Sequence, residues 1–220
     1  NQKAVVDLII KSAFLTTGQR CTCTRRLIML ETPATAALID ACKSAINNLK
    51  IGPFTNEPEP FMGPLITESA RNSVLETYQA LLKLGGASIV EPKRVGKIGW
   101  FVSPGIVDMT TVHEKMPDQE CFGPLMSIIR VSNLEEAIDV ANQTSYGLSA
   151  SIITQKKHEF EHAHSHLNAG IINWNRPTNG SSSQLPFGGI GKSGNFRPAG
   201  FTAIQSCVYP VASVQHGDGL

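Results

Sequence analysis

Residues 125–154 read LMSIIRVSNLEEAIDVANQTSYGLSASIIT, and this stretch indicates the fold more clearly than any other. Leu125 to Val131 is a β-rich run, and the helical pattern that starts at Asn133 continues to about Asn142. A turn at Tyr146-Gly147-Leu148 leads into a second β-rich run, from Ser149 to Thr154. Strand, helix, turn and strand in succession predict a parallel crossover unit. The sequence therefore predicts an α/β fold, with a mostly parallel sheet flanked by helices.

The same rules extend the prediction in both directions from this stretch. Helices are expected over residues 4–15, 34–49, 67–84 and 156–167, and strands over 26–30, 87–90, 99–107 and 170–174. Residues 178–200 are rich in Gly and Ser and predict a long loop. After that loop, Ser206 to Val214 predicts an edge strand that reaches outward.

Composition excludes several classes of protein. The chain has 220 residues and a net charge of +1, which gives no reason to expect nucleic acid or an anionic membrane as a partner. No uninterrupted apolar run is long enough to span a bilayer. Five cysteines, with no signal peptide at Asn1 to Asp7, predict free thiols in a reducing cytoplasmic setting.

Residues 14–23, FLTTGQRCTC, have the features expected around a nucleophilic cysteine. The Gly18-Gln19 pair predicts a backbone bend just before Cys21, so that the sulfur can face a cleft. Arg20 and Arg25 bring positive charge near the thiol and favour the thiolate. A thiolate is the form that attacks a carbonyl carbon. The alternative is that both cysteines of this segment are small buried residues at a helix–strand junction.

Three patterns follow one another along the chain. The first is Phe14-x-x-x-Gly18-Gln19-x-Cys21. The second is Glu120-Cys121-Phe122-Gly123-Pro124, followed by Asn142-x-Thr144-x-Tyr146-Gly147-Leu148-Ser149. The third is Gly170-Ile171-Ile172-Asn173, and then Pro186-Phe187-Gly188-Gly189-Ile190-Gly191-Lys192-Ser193-Gly194. In this order and spacing they resemble the aldehyde dehydrogenase superfamily, and the resemblance runs over nearly the whole chain.

The resemblance implies a role for the residues that match the family patterns. Cys21 would be the catalytic nucleophile, which forms a thiohemiacetal with the aldehyde and then a thioester. Its own backbone N–H would help to hold the oxyanion. Glu120 would hold the ribose hydroxyls of the nicotinamide half of NAD, with Phe122 as the aromatic residue beside it. Without the Glu-x-Phe-Gly-Pro pattern around it, Glu120 would be interpreted as a solvated loop carboxylate.

The resemblance also implies which residues face the substrate. Phe187 would lie against the aldehyde, although plain core packing is the alternative. Ser181 stands where relatives that act on apolar aldehydes often carry a large aromatic residue, so a polar or anionic substrate is expected. Arg20 and Arg176 would pair with carboxylates, unless they are surface residues. Thr22, which follows the nucleophile, belongs to the same expected substrate-binding set.

Three short sequence segments narrow the resemblance to one branch of the superfamily. Residues 18–27, GQRCTCTRRL, and 170–177, GIINWNRP, resemble the N-succinylglutamate 5-semialdehyde dehydrogenase branch. Residues 193–198, SGNFRP, do so as well. The branch implies NAD-dependent oxidation of succinylglutamate semialdehyde to succinylglutamate in arginine catabolism. Another small anionic semialdehyde is the alternative substrate.

The resemblance further implies a division of the chain. Residues 1–205 would form the thiol-bearing catalytic domain, and residues 206–220 an oligomerisation strand and tail of a homo-oligomer. The general-base glutamate, the oxyanion-hole asparagine and the NAD-binding domain of the family have no match here. We therefore expect a C-terminal portion of a longer enzyme, inactive in isolation.

Two readings from other classes of protein remain. Residues 158–162, HEFEH, fit the zinc-protease pattern H-E-x-x-H, with His158 and His162 one turn apart. A third protein ligand and a buried setting are not evident, so a solvated helix face is favoured and no metal is expected. The chain could also be a non-catalytic oligomerisation module, in which Ser206 to Val214 adds a strand to a neighbour's sheet.

Overall fold

A computed structural model describes residues 1–217. The helices are α1 (Gln2–Phe14), α2 (Thr35–Asn47), α3 (Glu68–Lys83), α4 (Leu134–Asn142) and α5 (Lys157–His166). The strands are β1 (Arg26–Leu30), β2 (Ala87–Val90), β3 (Gly105–Asp108), β4 (Leu125–Val131), β5 (Tyr146–Gly147), β6 (Ser149–Ile152), β7 (Ile171–Trp174), β8 (Pro186–Phe187), β9 (Ile190–Gly191) and β10 (Ala199–Gly200). Short 3-10 helices cover Leu15–Gly18, His113–Lys115 and Phe201–Ser206. None of the described helices is long and apolar enough to cross a membrane.

The main sheet has four strands in the order β1-β4-β3-β2. The pairs β1–β4 and β4–β3 are parallel, and β2 joins antiparallel at one edge. Strands β6 and β7 form a separate parallel pair, while β5 pairs with β9 and β8 with β10. The predicted α/β class with a mostly parallel sheet is confirmed.

Helices cover both faces of the main sheet, and β4 is buried between them. Met126 and Ile128 of β4 pack in one core cluster with α1 and α2. Leu125, Ile129 and Val131 pack in the second cluster, with α3 and α4 on the other face. Alternate side chains of a strand point to opposite faces, so a strand buried on both sides reads as a continuous apolar run.

Two details of the predicted strands are wrong. Strands β4 and β6 lie on either side of α4 in the sequence, yet β4 pairs with β1 and β3, and β6 pairs with β7. Periodicity identifies a strand but carries little information about its partner. The strand predicted over 99–107 begins only at Gly105, because Pro104 has no N–H to donate to a sheet.

The C-terminal edge strand is also absent from the single chain. Ser206 ends a 3-10 helix, and residues 207–217 contain no strand. Val208, Tyr209 and Val214 are exposed there. A strand requires a neighbouring backbone to pair with, and the described part of the chain offers none at this point. Pairing with a second copy stays a prediction, and residues 218–220 lie outside the described residues.

Asp118 connects the loop that carries Glu120 to the turn after α4. Its carboxylate accepts hydrogen bonds from the Thr144 hydroxyl at 2.6 Å, the Ser145 N–H at 2.8 Å and the Ser145 hydroxyl. These bonds, the Ser145 hydroxyl first, lower the pKa of Asp118 to about 2 from an ordinary value of 3.8. Arg26, 4.0 Å away, contributes in the same direction.

We predict that Asp118→Asn loosens this connection and destabilises the fold. The loss should be about 1 kcal/mol in the free energy of unfolding, because hydrogen bonds to a charged group are weakened by solvent at a partly exposed site. The folded-state pKa lies below the unfolded one, so the stabilisation is present above about pH 4 and is lost as the pH falls towards 2. Urea unfolding at pH 6 and pH 3 measures it.

Asp139→Asn is the matched control, since Asp139 is an exposed carboxylate on α4 with no side-chain hydrogen bond among the described residues. Equal effects of the two substitutions at both pH values would contradict the prediction.

Candidate active site

The segment that carries Cys21 reverses direction between α1 and β1. Phe14 anchors the end of α1 in the core with none of its surface exposed. Thr16 and Thr17 then take left-handed backbone conformations, with φ of 58° at both residues, and break the helical path. The Cys23 N–H donates to the Arg20 carbonyl at 3.0 Å, which closes a turn around Cys21. Cys21 is exposed and Cys23 is buried.

Polar side chains of the same segment bind a neighbouring loop. The Thr17 hydroxyl donates to the Gly63 carbonyl at 3.0 Å. The Gln19 amide donates to the Pro64 carbonyl at 3.3 Å and accepts from the Ile66 N–H at 3.0 Å. Such paired bonds hold the backbone before Cys21 in one position, so the Gly18-Gln19 pair acts as a fixed bend.

Gly18 makes a close backbone contact between the first two sequence patterns. It has a φ of 68°, which favours glycine. A Cβ atom at this position would lie 2.4 Å from the Gly123 carbonyl oxygen and 2.9 Å from the Pro124 nitrogen. The nucleophile segment and the Glu120 loop therefore pack backbone to backbone, and no side chain fits between them.

Arg25 joins the nucleophile segment to Glu120. Its Nε and Nη2 atoms both donate to Glu120 Oε1, at 2.9 and 2.8 Å, and Nη1 donates to the Gly123 carbonyl at 3.1 Å. The guanidinium also lies 5.3 Å from the centroid of the Phe122 ring, within range of a cation–π contact. The positive charge of Arg25, which was expected near the thiol, is thus paired with the Glu120 carboxylate.

Cys21, Arg25 and Glu120 line one cavity. Glu120 Oε2 receives no hydrogen bond from the described residues, so the carboxylate keeps a free acceptor oxygen. The backbone N–H of Cys21 likewise has no acceptor in the described part of the chain. An exposed sulfur, a free N–H donor and a free carboxylate oxygen are thus available at one site.

The predicted substrate residues lie on two segments: Arg20 and Thr22 flank Cys21 in the sequence, and the others follow β7. Arg20 Nε donates to the Thr16 hydroxyl at 2.8 Å, and Thr22 is buried beside Cys21. Arg176 and Ser181 are exposed, on the segment that follows β7. Phe187 is half-buried and pairs with Ala199 in the β8–β10 ladder.

Two residues missed by the sequence reasoning hold the start of the Ser181 loop. The hydroxyls of Thr178 and Thr24 lie 3.1 Å apart, and the Thr178 N–H donates to the Ser12 hydroxyl at 3.2 Å. The Asn179 amide donates to the Lys11 carbonyl at 2.8 Å. Both residues are buried. Their position after a strand and before a Gly/Ser-rich run was the available signal.

The histidines of α5 have other partners. Glu159 binds Thr154 and Lys156, and His162 Nε2 lies 2.7 Å from Glu135. Among residues 1–217, no group of three His, Cys, Asp or Glu side chains is arranged to hold a metal ion. Within this H-E-x-x-H pattern, Glu159 and His162 thus contact neighbouring groups, while His158 is exposed.

Comparison with known proteins gives a consistent result. The sequence profile of the aldehyde dehydrogenase family matches residues 1–211. A 1-pyrroline-5-carboxylate dehydrogenase from Thermus, solved with bound NAD, is 27% identical with a TM-score of 0.81; the match covers 92% of this chain and 39% of that one. A putative methylmalonate-semialdehyde dehydrogenase from Sinorhizobium meliloti, complexed with NAD, shares the fold at 23% identity and a TM-score of 0.84, over 93% and 43% of the two chains.

This chain spans about two fifths of the length of these relatives. The profile match extends over nearly all of its residues and includes the segments of Cys21, Glu120 and Phe187. The chain belongs to the aldehyde dehydrogenase family.

Proposed function

We propose that this chain supplies the catalytic thiol of an NAD-dependent aldehyde dehydrogenase, and that Cys21 is the nucleophile. The observation that carries the proposal is the placement of the exposed Cys21 and the carboxylate of Glu120 on one cavity. Three separate loops hold them there, through the Gly18 packing, the Arg25 bonds and the Asp118 connection. A cavity in which a nucleophile and polar groups converge is the usual form of an enzyme site.

The reaction on Cys21 has two stages. The thiolate sulfur forms a bond to the aldehyde carbon, and the carbonyl electron pair moves to the oxygen. The backbone N–H of Cys21, which has no acceptor among the described residues, would donate to that oxygen. Loss of hydride from the carbon restores the C=O bond and leaves a thioester on Cys21. Water then adds to the thioester, the C–S bond breaks, and the carboxylic acid, a proton and the thiolate are released.

The residues present suit a nicotinamide cofactor. Bound NAD supplies the acceptor for the hydride. Glu120 keeps Oε2 free to accept hydrogen bonds from ribose hydroxyls, while Arg25 holds Oε1. The Phe122 ring is about half exposed and offers a face beside the same carboxylate. We propose NAD rather than NADP because the sequence resembles the NAD-dependent branch.

The substrate class follows from charge and room around the site. We propose that the substrate is a small anionic semialdehyde, and specifically N-succinylglutamate 5-semialdehyde. This is the substrate of the branch whose sequence motifs the chain resembles. Arg20 and Arg176 are exposed cations with planar donor forks that match carboxylates. Ser181 is small and exposed, at a position where relatives that act on apolar aldehydes often carry a large aromatic residue.

The working enzyme is proposed to be longer than this chain, since the relatives are more than twice its length. The general base for the hydrolysis of the thioester would come from the remaining part. This chain alone should therefore yield no NADH from NAD and the semialdehyde.

Labelling of thiols tests Cys21 as the nucleophile. Cys21 and Cys207 are both exposed, so exposure alone predicts equal rates with iodoacetamide. We expect Cys21 to react about tenfold faster at pH 8, because a catalytic nucleophile is placed to attack a small electrophile that enters its cavity. Burial raises the pKa of Cys42 to about 11 and raises that of Cys121, so both should react slowly. Mass spectrometry of tryptic peptides gives the rates. Equal rates at Cys21 and Cys207 would count against the proposal.

Arg25→Lys tests the Glu120 arrangement in the full-length enzyme. Lysine keeps the charge but lacks the fork that holds Glu120 Oε1 and the Gly123 carbonyl together. We expect the KM for NAD to rise about tenfold, with a smaller change in kcat, because binding of the cofactor is weakened more than the chemistry at Cys21. Arg94→Lys, at an exposed arginine away from the cavity, is the control. An unchanged KM for NAD in Arg25→Lys would refute the role.

Arg176→Ala tests the anionic substrate. In the full-length enzyme we expect kcat/KM for N-succinylglutamate 5-semialdehyde to fall about tenfold or more, because one charge-assisted pair is lost. The value for propanal, which has no carboxylate, should stay the same and serves as the internal control. A parallel fall for both aldehydes would show that Arg176 has a structural role instead.

A further inference from the structure

A group of polar side chains from three segments meets at the end of α1, and we call it the polar junction. It consists of Ser12 on α1, Thr24 just before β1, and Thr178 and Asn179 after β7. Ser12, Thr178 and Asn179 are buried. Ser12, Thr24 and Thr178 also line the cavity that contains Cys21. The junction therefore lies where the nucleophile segment and the segment after β7 come together.

The junction supplies hydrogen-bond donors to the end of α1. The last carbonyl groups of a helix have no partner within it, so they bind groups from outside. The Asn179 amide donates to the Lys11 carbonyl at 2.8 Å and lies 3.5 Å from the Ser12 carbonyl oxygen. The Thr24 N–H donates to the Ser12 carbonyl at 2.9 Å. The helix that leads to the nucleophile is thus capped by the segment after β7 and by the start of β1.

The Ser12 hydroxyl connects the same segments a second time. It donates to the Leu8 carbonyl at 2.7 Å and accepts from the Thr178 N–H at 3.2 Å. The hydroxyl oxygens of Thr178 and Thr24 are 3.1 Å apart, so these two side chains share a hydrogen bond. Because each segment binds the other two, a shift of one of them breaks bonds in the whole junction.

The anchored part of the segment after β7 ends at Asn179. Gly180 has a φ of 92°, and a Cβ atom there would have no other atom within 4 Å. Residues 181–186 are all exposed. Arg176 and Ser181, the proposed substrate residues of this segment, lie on either side of the two junction residues. The junction is therefore the point that fixes both of them relative to α1.

We propose that Asn179 is a positioning residue for anionic substrates, because it fixes the segment of Arg176 and Ser181 relative to Cys21. This role rests on the proposed function of the chain. A semialdehyde that carries a carboxylate is held at two points, with its aldehyde carbon at Cys21 and its carboxylate on this segment. A segment already held in place needs no ordering when the carboxylate binds. An aldehyde without a carboxylate uses only the first point, so Asn179 favours anionic aldehydes without touching them.

Asn179→Asp in the full-length enzyme tests this role. The substitution keeps the shape but replaces the amide donor with a carboxylate, which repels the carbonyls at the negative end of α1. We expect the KM for N-succinylglutamate 5-semialdehyde to rise about tenfold and kcat to change less than about twofold, because binding must then order the segment. Both constants for propanal should stay the same. A purely structural role would lower kcat for both aldehydes at unchanged KM, and that result would overturn the proposal.

Asn48→Asp is the matched control. The Asn48 amide also donates to a backbone carbonyl, that of Ser44, at 2.8 Å, but it lies at the exposed end of α2 and does not line the cavity. This variant should leave both KM values unchanged, and a rise equal to that of Asn179→Asp would overturn the assignment.

A pair of substitutions at Thr178 gives a second test, which does not depend on the folding of Asn179→Asp. Valine has the shape of threonine without the hydroxyl, whereas serine keeps the hydroxyl. Thr178→Val should raise the KM for the semialdehyde about threefold, since one hydrogen bond of the junction is lost. Thr178→Ser should retain the original KM. Equal KM values in the two variants would show that the junction does not position the substrate.

Hydrogen exchange in this chain, measured by NMR without substrate, separates this role from the proposed function. The amides of Thr24 and Thr178 both donate to Ser12, so both should exchange more than about tenfold faster in Asn179→Asp. The Arg130 amide, which donates to the Thr110 hydroxyl, is the internal control and should not change.

The two measurements distinguish the possible failures. Unchanged exchange at Thr24 and Thr178 would overturn the junction, whichever aldehyde the enzyme oxidises. An unchanged KM in Asn179→Asp, with an active wild-type enzyme, would overturn the role of Asn179 and leave the proposed function intact. A full-length wild-type enzyme that oxidises neither aldehyde would overturn the proposed function and this role together.

Discussion

The structure around the candidate site depends on the direct packing of the Gly18 backbone against Gly123. A side chain at Gly18 would collide with the Gly123 carbonyl at 2.4 Å, so the contact exists only because the residue has no Cβ. It brings a segment that follows α1 against a loop about a hundred residues later, and sets Cys21 and Glu120 on one cavity. Arg25 reinforces the contact with three donor atoms that reach Glu120 and Gly123 and its own segment.

Hydrogen bonds between polar groups explain how the other loops around the candidate site are held. Asp118, Thr178 and Asn179 each bind backbone or hydroxyl groups of a segment distant in sequence, so each connects two loops that carry candidate site residues. Where such groups stay unpaired among the described residues, they are available to a binding partner. The free Oε2 of Glu120 is a case of the same principle: polar groups held in place generally find partners.

Much of the fold could be predicted because its signals are local. The apolar run of β4, the Asn133 cap of α4 and the bend at Gly18-Gln19 each follow from residues within one short window. The order of strands could not be predicted. Strands β4 and β6 have the same kind of sequence pattern, and they differ only in the strands with which they pair. The strand predicted over Ser206 to Val214 is not formed in the single chain for the same reason, since its apolar residues have no backbone partner among the described residues.

The sequence by itself determined the α/β class, the family and the identity of Cys21 and Glu120 as candidate residues, because these depend on residue types at short, ordered spacings. Only the tertiary structure decided that Arg25 binds Glu120, that Asp118 holds the loop that carries Glu120, and that β1 and β6 border one groove. Each of these depends on the distance between segments far apart in the chain, and on which backbone groups remain unpaired after folding.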